Sequence, residues 1–328
     1  MNDTYPPVPE DAFAPAQVVK TTATVLMMLT ATGILTNALV IYAMAVNRAR
    51  LSFDYVYIVS LVTADTLLCV VLFVSSALSV SWGEPAITTL PGMCIFQTFI
   101  LEELAGASMF TLMAYAVVSS LSILGRIPQE SPKLARGILI CIWAVCIVQA
   151  GLVVVVEPSS VVAKQSGLYC HFTPKAGLSM SGYMQMVNMV VMIATPVTIA
   201  ASYGAIWRHI WTIQVRIRQL TRKMEPSTES RSTTAGQPSK WTSQDMLDVA
   251  KTNTVYRGMI MSLVFFAAWS PMFMAFAVGL SGGRVSWELD TVALVLSVCN
   301  SVANPITALL LDRKLRTALW RLADRRPK

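Results

Sequence analysis

The chain has 328 residues, of which 55% are hydrophobic and only 13% charged. Soluble domains average about 25% charged residues, so an ordinary soluble fold is excluded. The formal net charge is +7, and the placement of the basic residues accounts for it without a nucleic-acid partner.

Charge-poor stretches recur at seven places: roughly 21–47, 55–83, 85–125, 137–156, 176–207, 258–283 and 291–311. Each can hold the ~20 apolar residues that cross a bilayer. Backbone groups find no water in lipid, so such segments must be helices or closed barrels. Their length selects helices, because barrel strands read as alternating segments of about 10 residues. The predicted fold class is an all-α membrane protein, a seven-transmembrane helix bundle followed by a short amphipathic helix 8. With the amino terminus outside, 21 of the 25 lysines and arginines fall on the cytoplasmic side. The positive-inside rule orients the chain that way, and anionic inner-leaflet lipid is the expected partner of that charge. The expected domains are an extracellular tail over 1–20, the bundle over 21–311, and helix 8 with a short tail over 312–328.

The tail is acidic and Pro-rich, without the basic n-region and apolar core of a cleaved leader. The first span is therefore expected to act as a signal-anchor. Asn2-Asp3-Thr4 is a glycosylation sequon on the outer side. The second span is broken only by Asp65, and the third only by Glu102 and Glu103. An acid within a span usually faces the bundle interior and marks a functional site; the alternative is a neutral carboxylic acid hydrogen-bonded in a packed core. Cys94 opens the third span, and Cys170 sits in an outer loop over 157–178. Both face an oxidising compartment and can form a disulfide. Pro196 and Pro271 lie inside the fifth and sixth spans, where each removes a helix hydrogen bond. An inner loop is expected over 213–249. Its middle, 225–244, is rich in Ser, Thr, Pro and Gly and reads as a phosphorylatable linker. After Leu311, the residues Leu315, Leu319 and Leu322 recur at helical spacing with basic residues between them, as in a helix lying on the inner leaflet.

Five polar residues stand out across the spans: Asp65, Ser108, Asn300, Ser301 and Asn304. With them come Thr36-Asn37, Leu61-x-x-x-Asp65, Cys94, Trp143, Pro196, Phe265 with Trp269-Ser270-Pro271, and Asn300-Ser301-x-x-Asn304-Pro305. Taken in order, one set per span, these residues resemble the rhodopsin-like (class A) G-protein-coupled receptors. The resemblance implies a receptor rather than an enzyme. It implies an extracellular ligand, a heterotrimeric G protein at the cytoplasmic face, and arrestin at the third inner loop. It implies a sodium ion held by Asp65, Ser108, Asn300, Ser301 and Asn304, whose oxygens suit a hard cation. It also implies a switch involving Trp269, Phe265, Pro271, Pro196 and Tyr203. The G-protein contacts implied are Arg126, Ile127, Pro128 and Lys251.

The chain departs from the family pattern at the inner face. Val118, Ser119 and Ser120 stand where the family carries Asp-Arg-Tyr, Lys251 stands where many members carry an acid, and Ala308 replaces the tyrosine after Asn304-Pro305. These losses support an alternative role as a non-coupling decoy, scavenger or heteromer subunit. No retinal is expected, because no lysine lies between Lys251 and Lys314. Biogenic-amine receptors carry an aspartate at the position of Leu101; here Glu102 is the neighbouring acid, and a Glu102 facing the pocket suits a cationic or peptide ligand. With two histidines and no Gly-rich phosphate loop, no enzymatic centre is expected.

Overall fold

The structure, a computed structural model, describes residues 13–46, 55–82, 91–126, 132–173, 179–224, 243–312, 315–317 and 319–320. Seven helices in it are long and apolar enough to cross a membrane: α1 (Ala16–Val46), α2 (Tyr55–Trp82), α3 (Pro91–Ile123), α4 (Pro132–Val156), α5 (Met180–Met224), α6 (Ser243–Leu280) and α7 (Trp287–Leu311). Between α4 and α5 lie a 3-10 turn (Pro158–Ser160) and two short strands, β1 (Val161–Ala163) and β2 (Cys170–Phe172). Residues 315–317 and 319–320 are helical, as helix 8 requires.

Three boundaries differ from expectation for local reasons. α1 begins at Ala16, inside the expected tail. Pro15 precedes it and accepts from the Val19 amide at 3.0 Å, a position where a fixed φ favours helix entry. α5 continues to Met224, beyond the expected start of the inner loop, because 213–224 contains no Gly or Pro and is dominated by Arg, Gln, Leu and other sound helix formers. α6 already begins at Ser243; the rest of the expected linker lies outside the described residues.

The helices hold together through close backbone approach and a few bonds between spans. Gly33 of α1 faces α2: a methyl there would fall 2.6 Å from Cys69 Sγ and 3.4 Å from Val302 of α7. One turn along, Asn37 donates from Nδ2 to the carbonyls of Gly33 at 2.8 Å and Ser301 at 3.0 Å, linking α1 to α7. Trp143 of α4 donates to Ser60 Oγ of α2 at 2.9 Å, and Ser60 also meets Thr111 of α3 at 3.3 Å. The outward faces of α4 and α5 are apolar, with Val155 78% exposed, as lipid contact requires.

Helix 8 is tied to the bundle rather than merely laid beside it. Leu315 is fully buried in a cluster with Val40, Met44, Tyr55, Ile58 and Ala308. The Tyr55 hydroxyl donates to Asp312 Oδ2, and Asp312 Oδ1 accepts from the Leu315 amide at 3.3 Å. Trp320 stays exposed on the apolar side.

Gly33 provides a test of this packing. Alanine raises intrinsic helix propensity by about 1 kcal/mol, but overpacking costs about 1–3 kcal/mol, and the Cys69 thiol must move to admit the methyl. Gly33→Ala is expected to lower the thermal midpoint of the purified protein, and Gly33→Ala with Cys69→Ala to restore it. An unchanged midpoint in the single variant would rule out the contact.

Candidate functional site

The strands β1 and β2 pair antiparallel, with Val162 opposite His171, and form a roof over one end of the bundle. Three anchors hold it. Cys94 at the start of α3 is bonded to Cys170, with Cα atoms 5.3 Å apart. Beside it, Gln97 Oε1 accepts from the Cys170 amide at 2.8 Å while its Nε2 donates to Ser75 of α2 at 3.0 Å. On the far side, Asp290 in the first turn of α7 accepts from the Ser166 amide at 2.9 Å and from the Tyr169 hydroxyl at 2.6 Å. The segment leading into α1 joins as well, the Ala14 amide donating to the Gln165 carbonyl at 2.9 Å.

Burial shifts two groups of the roof. Tyr169 is pushed well above the usual phenol range by burial, reinforced by the Asp290 charge and hydrogen bond. Half-buried Lys164 donates to the Phe172 carbonyl at 3.1 Å and Thr173 Oγ1 at 3.0 Å. Its ammonium is pulled down to about 8 by burial, against the opposing pull of Asp290 and Glu102.

Under the roof is a cavity lined from α2 through α7. Its wall includes Glu102 but not Glu103. Both oxygens of Glu102 are engaged. Oε1 lies 2.5 Å from His171 Nε2, and Oε2 accepts from Asn188 Nδ2 of α5 at 3.2 Å. Asn188 Oδ1 in turn accepts from Gln149 of α4 at 2.6 Å. The floor is aromatic. Trp269 stacks on Phe265, with centroids 5.7 Å apart, and lies near Phe273 at 6.5 Å. Its indole Nε1 is buried without a hydrogen-bond partner. Pro271 lies two residues beyond Trp269, and Pro196 stands inside α5.

Deeper in the bundle, Asp65 is 1% exposed. It accepts from Ser301 Oγ at 3.1 Å and Asn304 Nδ2 at 2.9 Å. Ser108 and Asn300 are buried too, but neither is hydrogen-bonded to Asp65, and Asn300 Oδ1 has no partner. The carboxylate thus meets two of its four expected neighbours directly. Towards the other end, Val118, Ser119 and Ser120 are all buried, and Ser119 Oγ is unpaired. Ala308 is fully buried in the Leu315 cluster. Tyr203 of α5 is buried, with its hydroxyl where a side chain on Gly258 of α6 would stand. Arg126 is exposed just after α3. Asn2, Ile127, Pro128 and the Lys251 side chain lie outside the described residues.

A family model described as the 7 transmembrane receptor (rhodopsin family) matches residues 36–307. The chain belongs to that family. The crystal structure of squid rhodopsin is similar to this receptor with a TM-score of 0.77, covering 97% of this chain and 90% of that one at 14% identity. At that identity the likeness speaks for the fold alone. No curated protein matches the chain. The receptor is a multi-pass membrane protein of a class that does not act by catalysis.

Several site residues lie beyond the sequence reading. His171 is adjacent to the bridged Cys170, the one sequence signal that places it near the roof. Asp290, Tyr169 and Lys164 carry no comparable signal, because their meeting depends on how the roof folds back onto α7.

Lys164 gives the roof a pH signature. Between pH ~8 and ~10.5 the unfolded chain retains a proton that the folded receptor has released, so stability rises with pH. Above about pH 10 the unfolded Tyr169 loses its proton first and stability falls again. The thermal midpoint is expected to climb from about pH 8 to about pH 9.5, and Lys164→Met to flatten the climb. An equal slope in the variant would remove Lys164 as its source.

Proposed function

We propose that the receptor resides in the plasma membrane with its amino terminus outside, takes an extracellular ligand in the cavity beneath the β1–β2 roof, and passes the change to a heterotrimeric G protein at the opposite end. The observation carrying this reading is the cavity itself, roofed by a hairpin tethered to α3 and α7 and floored by Trp269 stacked on Phe265. A ligand that presses on Trp269 acts on α6 next to Pro271, where the helix lacks one backbone bond. α6 is also the helix whose Gly258 accommodates Tyr203. A shift of α6 would disturb that contact and open the face near Arg126, Ile127, Pro128 and Lys251. Arrestin would engage the inner loop beyond Met224, and anionic lipid the helix 8 surface.

A sodium ion fits the Asp65 site in chemical character. Asp65 supplies the charge, and the unpaired Asn300 Oδ1 is a buried acceptor that a hard cation or its water would satisfy. Ser108, Ser301 and Asn304 would complete the oxygen set. Such an ion would favour the resting arrangement of α2 and α7. Asp65→Asn is expected to abolish any effect of sodium on the thermal midpoint; an Asp65→Asn receptor that still responds to sodium as wild type does would exclude the site.

A second reading, a seven-helix decoy or heteromer subunit that does not couple, draws on the inner end. Val118, Ser119 and Ser120 offer no charge there, and the methyl of Ala308 is packed where the family has a tyrosine. Nucleotide exchange separates the two. Membranes containing the receptor are expected to accelerate binding of a non-hydrolysable GTP analogue to at least one class of purified G protein, and a cavity-blocking Ala105→Phe to change that rate. Background exchange with every G-protein class would leave the decoy reading.

A further inference from the structure

The cavity carries its own charge balance. Among its lining residues are one carboxylic acid, Glu102, and one imidazole, His171. His171 Nδ1 lies 3.1 Å from the Phe172 carbonyl oxygen, which can only accept, so Nδ1 bears a hydrogen. Nε2 lies 2.5 Å from Glu102 Oε1; two bare lone pairs do not approach that closely, so a second proton is shared between them. Wherever that proton sits, the pair is neutral as a unit. The other carboxylate oxygen is engaged by Asn188, and Asn188 by Gln149. An ammonium group entering here would lose its water and meet no net negative charge; an anion would meet no cation on the lining, since Lys164 lies outside it and is held by the Phe172 carbonyl and Thr173. Either is strongly disfavoured in an apolar enclosure.

The floor has an unmet requirement. Trp269 lines the cavity, and its Nε1–H, a donor only, has no partner. The surfaces between are apolar or aromatic: Met109, Met192, Met272, Phe276 and Leu294. We propose that the ligand is an uncharged, mainly apolar molecule bearing a carbonyl-type acceptor that meets the Trp269 Nε1–H, and that His171 excludes amines by occupying Glu102. This rests on the cavity being the ligand site.

The test uses the full-length receptor in lipid nanodiscs and two probes sharing one carbon skeleton, 4-phenyl-2-butanone and 4-phenyl-2-butylamine, with affinity read from thermal stabilisation. The ketone is expected to bind the wild type about tenfold or more tightly than the amine. His171→Gln keeps a hydrogen-bond donor but cannot share a proton with Glu102, and is expected to raise amine affinity about tenfold. Trp269→Phe is expected to weaken the ketone about two- to tenfold, the worth of one hydrogen bond. Should His171→Gln loosen the roof, Glu102→Gln with His171→Gln restores neutrality and is expected to return the preference for the ketone. Amine binding the wild type as tightly as the ketone overturns the proposal, as does a ketone that fails to bind or ignores Trp269→Phe. Ala105→Phe, which fills the cavity, separates the two levels. Tight amine binding lost in Ala105→Phe leaves the cavity as the site and rejects the ligand class; binding of either probe that survives Ala105→Phe rejects the cavity.

Discussion

In hydrocarbon a polar side chain must find its partner in its own helix, in a neighbouring helix or in an enclosed cavity, because no water is at hand. The distribution of polar groups in this receptor follows from that constraint. Most hydroxyls take the first course. Thr30, Thr66, Ser79 and Ser262 each donate to the carbonyl one turn back in their own helix, and Ser297 to the carbonyl three residues back. Such residues are structurally silent between helices. Those that take the second course, Asn37, Ser60, Asp65 and Gln97, place the joints of the bundle. Glu102 and Trp269 take the third course in different degrees: the acid is matched from the roof, and the indole donor is left open.

The two ends of the bundle are built differently. At the roof, charged and amide groups are matched one to one, Asp290 with Tyr169 and the Ser166 amide, Glu102 with His171 and Asn188. At the other end the described helices substitute small or apolar groups for charge. Val118 packs with Tyr57, Tyr115 and Leu139, and Ala308 packs with Leu315. A network of charge-assisted bonds has a defined geometry and resists partial opening. Among the described residues no ion pair joins the helices at that face, so packing and the Tyr55–Asp312 hydrogen bond hold it.

The spans were legible because their signal is local: twenty apolar residues with few charges carry their meaning whatever surrounds them. The Cys94–Cys170 bond was legible for a related reason, since topology left those two thiols on the same side. The partners of Asp65 were only half legible. A motif names which residues share a helix face but not how far each side chain reaches, and Ser108 and Asn300 stop short of the carboxylate. Glu102 shows the limit most clearly. Helix geometry says only that Glu102 and Glu103 point in different directions, and the pairing of Glu102 with His171, 69 positions later in the chain, depends on a loop folding back. The ends of α1, α5 and α6 shifted because helix propensity outran the loss of hydropathy by which spans are delimited.

The roof is stitched at once to α3, to α7 and to the residues leading into α1. A solute passing between the roof and α7 would have to part the Asp290 contacts, whereas the disulfide is not one that thermal motion opens. Exchange by that route would be timed by the fraying of the Asp290 and Gln165 contacts. A ligand held beneath the roof, as proposed, would leave by that route no faster than those contacts part, and slow release lengthens the memory of an exposure.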